Sequence, residues 1–213
     1  MLTLYDCATA PSPRRARILL AEKGVPHETV HIDLRSGEQM GEAYRAVNPQ
    51  CTVPALRTEA GAVLADNAAI AAYLEARFPE PPLLGRTPED KAEIASWQWR
   101  IEFEGLMAIA EAFRNGSPAM VNRALPGPLD YPQIPALAER GVIRVRQFFA
   151  TLNSQLADRQ FIAANQFSIA DITAVVAVDF ARVIRVKAGD AHPHLLRWRS
   201  AMASRGQLLT PAG

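Results

Sequence analysis

The sequence predicts an α/β domain followed by an all-helical domain, and three observations carry that prediction. Residues 48–74 read NPQCTVPAL, RTEAGAVL and ADNAAIAAYL, a strand–turn–strand pattern running straight into an Ala-rich amphipathic stretch. Residues 78–86, FPEPPLLGR, are dense in proline and carry Gly85 near their end, which marks a domain boundary. Beyond them, apolar residues recur at helical spacing. The expected division is residues 1–78, a linker at 79–87, and a helical domain at 88–213.

Each element follows from its own residues. Residues 2–5 alternate and read as a short strand. Residues 6–12 form a loop, with Pro11 and Pro13 marking the start of a helix. Ala16, Leu19 and Leu20 then share a helical face, and Gly24 is the expected cap at its end. Residues 25–32 read as a second strand introduced by Pro26, and 37–47 as a short, weakly helical segment. A hairpin follows at 53–57 and 62–65, with Gly61 supplying the left-handed residue of its turn. Pro54 sits beside the first strand's start, where it cannot donate to a ladder, and is a candidate cis residue in a tight turn. Asp66 is the expected N-cap of the next helix, 66–77.

In the second half, Thr87 caps a long helical pattern with Pro88 in its first turn; Ile94, Trp97, Ile101, Gly105 and Ala108 follow its spacing. Residues 116–135 are proline-rich and read as a break, and 136–157 as a second amphipathic helix. Phe167-Ser168-Ile169-Ala170-Asp171-Ile172 holds a capping box, Ser168 with Asp171, and places Phe167 and Ile172 at hydrophobic-staple positions. The helix it opens, 169–182, is apolar nearly all round and is expected to be buried. His192-Pro193 starts a last helix through Trp198.

Composition narrows the function classes. The chain has 213 residues, 49% hydrophobic and 21% charged, as in a globular protein with a sizeable core. A net charge of +1 gives no reason to invoke nucleic acid, and no apolar run has the length to span a membrane. The first residues, MLTLYDCATAPSPRR, lack the order of a signal peptide. Cys7 and Cys51 make neither a disulfide framework nor a zinc site, and the four histidines have no metal-ligand spacing, so no metal is expected. A reduced, cytoplasmic setting is the default expectation.

Val53-Pro54 before a strand, a turn, a strand and an acid-capped helix resembles the thioredoxin-like half of cytosolic glutathione transferases of the bacterial type. LYDCATAPSPRRARILLAEKG is similar to the first loop and helix of that family, roughly SPxSPxxRKVRIxLxEKG, and Ser168-Ile169-Ala170-Asp171 to the [ST]-x-A-D motif of its central buried helix, where the motif is structural. The resemblance covers the whole chain. It implies that Val53 offers its backbone to the cysteinyl part of glutathione, beside cis-Pro54, and that Asp66 and Asn67 hold the γ-glutamyl end. The chemistry suits those residues: a carboxylate is favoured at a helix start, and an ammonium beside Asp66. Asn67 stands where the family usually has a hydroxyl residue.

Other departures bear on catalysis. The family places Ser or Cys before the loop proline, facing the glutathione sulfur; here Ala10 stands there. The nearest hydroxyls are Ser12, either a helix-start residue that aims at the thiolate or a plain cap, and Thr9. They are the candidate catalytic residues, and a helix start itself favours a thiolate. Cys7 reads as a small buried residue. Related sequences often have Gly at the Cys51 place and Lys or Gln at the Thr52 place, where the long side chain meets glutathione's glycine carboxylate; Thr52 offers a hydroxyl, or is only a turn residue. Trp99 and Phe103, four apart, either line a pocket for an apolar co-substrate or belong to the core.

The function implied is transfer of glutathione to a small hydrophobic electrophile by a cytoplasmic homodimer acting in detoxification, with glutathione as co-substrate. Two alternatives stand beside it. One is a glutathione-dependent isomerase like maleylacetoacetate isomerase, whose Ser-Ser-Cys run is absent from this loop. The other is a non-catalytic glutathione-binding or scaffold protein of the same fold, favoured by Ala10.

Overall fold

A computed structural model describes residues 1–206. The described residues form two compact units, one comprising Met1–Pro81 with Pro126–Leu129, the other Pro82–Leu125 with residues 130–206.

The first unit is built on a four-stranded mixed sheet, in the order β2-β1-β3-β4. Strand β1 (Leu2–Asp6) leads into helix α1 (Pro11–Glu22) and back to β2 (His27–His31), which pairs parallel with β1. Gly24 ends α1 with φ +61°, the left-handed turn expected of a residue without Cβ. A turn of 3-10 helix at Glu38–Met40 and the short α2 (Glu42–Arg45) follow, in place of the single segment expected at 37–47. Strands β3 (Ala55–Arg57) and β4 (Val63–Leu64) complete the sheet antiparallel, and α3 (Asn67–Arg77) packs against α1. The hairpin turn has Gly61 at φ +86°, and Thr58 closes it twice: its N–H bonds the Ala62 carbonyl and its hydroxyl accepts from the Ala62 N–H.

Side-chain alternation sends the sheet's residues to two faces. Tyr5 and Ala55, directly opposite across β1 and β3, join Ile32 and Tyr44 in one buried cluster. Leu4 and Leu56, the next pair along, are wholly buried on the other face.

The second unit is helical: α4 (Pro88–Arg100), a π-helical segment at Ile101–Leu106, α5 (Met107–Gly116), α6 (Pro135–Gln155), α7 (Ile169–Phe180) and α8 (Pro193–Ala203). Thr87 and Asp90 form a full capping box at the start of α4. Two glycines allow close helix approach. A Cβ on Gly105 would lie 2.7 Å from the Phe148 ring of α6, and one on Gly141 would lie 2.7 Å from the backbone of Ala108 and Ala112. Helix α7 is buried along its length from Ile169 to Val178. Its capping box is closed by the Ser168 N–H, which donates to Asp171 Oδ2 at 3.1 Å. The other carboxylate oxygen, Oδ1, accepts from the Ile162 N–H at 3.2 Å and from Trp198 Nε1 at 3.0 Å.

Candidate functional site

Strand register brings three segments to one end of the sheet. Tyr5 lies opposite Ala55; two residues further the same register sets Cys7 level with Val53. Leu56 lies opposite Leu64; three residues further sets Val53 level with Asn67. The β1–α1 loop, the Val53-Pro54 turn and the start of α3 therefore share this end.

The turn before β3 is fixed by two residues to which the sequence reading assigned no role. Tyr44 donates its hydroxyl to the Thr52 carbonyl at 2.6 Å, and Asn48 Nδ2 donates to the same carbonyl at 2.8 Å and to Thr52 Oγ1 at 3.2 Å. Burial pushes the Tyr44 phenol up to about 12, so it remains a donor throughout the physiological range. Asn48 is buried, and its Oδ1 accepts from the Gln50 N–H, which fixes the orientation of the amide. Cys51 has φ +54°, the left-handed region that favours glycine. Val53-Pro54 is cis. Among the described residues, neither the N–H nor the carbonyl of Val53 has a hydrogen-bond partner. Strand β3 thus begins at Ala55 rather than Val53, because the peptide before cis-Pro54 turns its polar groups away from the ladder.

Asp66 caps α3, accepting from the Ala69 N–H at 2.7 Å. Its side chain is exposed, and Asn67 is the first residue of the helix. Asp66 thus sets a carboxylate at the positive end of α3, whose first turn contains no acidic residue.

The N-cap of α1 is Ala10, with no side-chain cap and no acidic residue in the first turn. Thr9 is exposed, its Oγ1 3.6 Å from the Cys7 sulfur. Ser12 lies inside the helix rather than at its cap, and accepts from Arg15 at 3.2 Å, which leaves its own hydrogen to donate. Arg17, a third residue that sequence reasoning missed, ties the loop behind them to the end of β1. The end of the sheet therefore brings together an open peptide group and the starts of α1 and α3, groups suited to an extended backbone and to an anion.

Trp99 and Phe103 lie elsewhere, on the helical unit. Their rings stack at 4.9 Å and 17°, and both are exposed, Trp99 at 61% and Phe103 at 44%. They are not core residues. The Arg144 guanidinium lies 4.8 Å from the Phe103 ring centre and donates to the Phe103 carbonyl at 2.6 Å, while Glu111 holds Arg144 and Arg140. Two cavities of about 410 and 450 Å³ in this unit are lined by other residues, Trp97 and Arg100 in the first, Phe113 and Val183 in the second. No described cluster of His, Cys, Asp or Glu is suited to a metal ion, and no described helix is long and apolar enough to cross a membrane.

Comparison with known proteins agrees with this architecture. Residues 9–77 match the family described as "Glutathione S-transferase, N-terminal domain", and residues 116–206 the corresponding C-terminal domain. The chain is similar to "Glutathione S-transferase 2" of Saccharomyces cerevisiae, 30% identical over 210 residues that cover 96% of this chain and 86% of that protein. Over 93 residues, 43% of this chain and 44% of its relative, it is 40% identical to "Maleylacetoacetate isomerase" of Pseudomonas aeruginosa. The crystal structure of Gtt2 from Saccharomyces cerevisiae superposes with a TM-score of 0.88 at 29% identity, over 97% of this chain and 98% of that one. A thioredoxin-like sheet ending in an open cis-proline turn, an all-helical second unit and relatedness along nearly the whole length place this chain in the cytosolic glutathione S-transferase family.

Proposed function

We propose that the protein is a glutathione transferase that conjugates the glutathione thiolate to a small hydrophobic electrophile. The observation that carries this is the unpartnered Val53 peptide group beside cis-Pro54, level with the start of α3. In this reading Val53 pairs with the cysteinyl backbone of glutathione, Thr52 donates its hydroxyl to the glycine carboxylate, Asp66 takes the α-ammonium, and the Asn67 N–H takes the γ-glutamyl carboxylate. The start of α1, with Ser12 and Thr9, steadies the thiolate. The sulfur then attacks the electrophilic carbon; a C–S bond forms and the displaced electron pair leaves with the leaving group. Trp99 and Phe103 supply the apolar surface for the electrophile. Residues 1–78 form the glutathione-binding domain and 88–213 the electrophile-binding one. The protein acts as a cytoplasmic homodimer in detoxification, with glutathione as its co-substrate and no metal.

The test is calorimetric titration with glutathione and with an S-alkyl glutathione, alongside turnover of a chloronitrobenzene. Binding of both with measurable conjugation is expected. Absence of binding removes the reading. The similarity to maleylacetoacetate isomerase supports a second reading, glutathione-dependent cis–trans isomerisation. Faster turnover of a cis-enedione than of any aryl halide favours it. Ala10 at the start of α1 supports a third, non-catalytic binding, which predicts retention on immobilised glutathione with no turnover of either substrate class.

A further inference from the structure

We propose that Arg17 is a positioning residue for the thiol end of this site, acting through the loop that carries Thr9 and Ala10 rather than through its charge. The inference rests on the reading of this sheet end as a glutathione site. The guanidinium engages acceptors on three consecutive residues: it is paired with Asp6 Oδ1, and it donates to the Cys7 carbonyl at 3.4 Å and to the Ala8 carbonyl at 3.1 Å. The Cys7 carbonyl also accepts from the Ala10 N–H at 3.1 Å. Residues 7–10 therefore form a tight turn held from behind by one side chain, and that turn sets where the first N–H groups of α1 point.

Both partners are sheltered from water, with 16% of the Arg17 side chain and 2% of the Asp6 side chain exposed. The Asp6 carbonyl is also occupied, accepting from the Ile32 N–H at 2.7 Å. The loop is thus anchored to β1 and β2 before it reaches α1. Among the described residues the carboxylate facing Arg17 is Asp6, and beyond it lies the His31 ring of β2, whose Nδ1 is 3.9 Å from Asp6 Oδ2. Because Asp6 neutralises the guanidinium locally, Arg17 lends little field to a thiolate. Its contribution is the planar fork, which lysine lacks. In a chain with Ala10 where a side chain would otherwise steady the sulfur, the placement of backbone N–H groups matters more, so the residue that places them affects the thiol.

The experiment compares the parent with Arg17→Lys, which keeps the charge and loses the fork. The readouts are the pKa of bound glutathione, followed by thiolate ultraviolet absorbance, and the affinity for an S-alkyl glutathione, whose sulfur cannot ionise. The expected result is a bound-thiol pKa raised by roughly one unit in Arg17→Lys, which lowers the thiolate fraction at neutral pH by up to about tenfold, with S-alkyl glutathione affinity changed less than about twofold. The Ala10 amide should also exchange its hydrogen faster in the variant. An unmoved thiol pKa in a folded variant overturns the proposal and leaves the glutathione reading intact. Equal weakening of both ligands also overturns it, since that is the effect of general loosening. A parent that binds neither ligand removes the reading and the proposal together. If Arg17→Lys does not fold, Arg17→Gln, which keeps a single planar donor group, gives the same two readouts with the same expectations.

Discussion

Trp198 of α8 donates its indole N–H to the buried carboxylate of Asp171 in the first turn of α7, at 3.0 Å. That carboxylate also receives the Ile162 and Ser168 N–H groups and the Ser168 hydroxyl, so one side chain joins the cap of the central helix, the loop before it and the last helix. Burial nevertheless outweighs these donors and raises the Asp171 pKa to about 6. The sign follows from linkage. Between about pH 4 and pH 6 the folded state holds a proton that the unfolded state has lost, so this group's contribution to stability falls as pH rises through that window and is flat on either side. Asp171→Asn removes the titration. The stability difference between parent and variant should therefore shrink by up to about 3 kcal/mol from pH 4 to pH 6. Urea melts at intervals across that range measure it, and a difference that grows with pH would show that the donors prevail over burial. Glutathione affinity of the folded variant should be nearly that of the parent, since Asp171 lies in the helical core.

Much of this was legible in local sequence, and the limits have a physical pattern. Gly24, Gly61, Asp66, Thr87 and Ser168 announce themselves because caps and turns are satisfied within a few residues of chain. The cis peptide at Pro54 was legible for the same reason. Strand β3 came out shorter than its pattern because Val53 fits a strand by composition but turns away from the ladder beside a cis proline. The long helical pattern after Thr87 hid a π-helical segment at Ile101–Leu106, where Gly105 meets Phe148 across a distance of some forty residues. Trp198 reaches across the fold to Asp171, and nothing in its immediate neighbours says which acceptor that is; Tyr44 and Asn48 bond Thr52 close by in the chain, but only the folded turn brings them to one carbonyl. Trp99 and Phe103 were legible as a pair but not as an exposed one.

Lys23 illustrates the same long reach and carries a stability prediction. Its ammonium is wholly buried, 2.7 Å from Glu75 Oε2, and donates to the Phe78 carbonyl at 2.7 Å and the Pro81 carbonyl at 2.8 Å. It thereby ties the end of α1 to the end of α3 and to the chain leaving the first unit. Lys23→Met withdraws the ammonium from all three acceptors and should cost about 3 kcal/mol. Glu75→Gln keeps an oxygen acceptor and should cost about 1 kcal/mol. Chemical denaturation of both variants tests the ordering, and equal costs would mean that the two carbonyls contribute nothing beyond the ion pair.

Asp66 separates binding from stability. It is exposed and caps α3 through a single bond to the Ala69 N–H. Asp66→Ala should lower stability by only about 1 kcal/mol, the worth of a cap. Loss of the proposed ammonium contact should weaken glutathione binding by about 1.5–3 kcal/mol, roughly tenfold to a hundredfold. Calorimetry showing unchanged affinity in a variant with the expected small loss of stability would assign Asp66 to the helix alone.

Ala10 tests whether the loop faces the sulfur. It is the N-cap of α1, half-buried, with extended backbone at φ −90° and ψ 139°, a conformation any side chain accepts. A cysteine there places its thiolate at the open N–H groups of a twelve-residue helix with no acid in its first turn, which should depress its pKa. Against oxidised glutathione, that thiolate attacks one sulfur of the disulfide, a mixed disulfide forms, and one glutathione leaves as its thiolate. The experiment is Ala10→Cys in a Cys7→Ser, Cys51→Ser background, incubated with oxidised glutathione and weighed by mass spectrometry. Both native cysteines are buried, so the replacements take away thiols already shielded from solvent. One adduct, reversed by a reductant and absent from the background protein, is expected. A folded variant that binds an S-alkyl glutathione and yet gains no adduct would place the sulfur away from the start of α1, and Thr9 and Ser12 would lose their assignment with it.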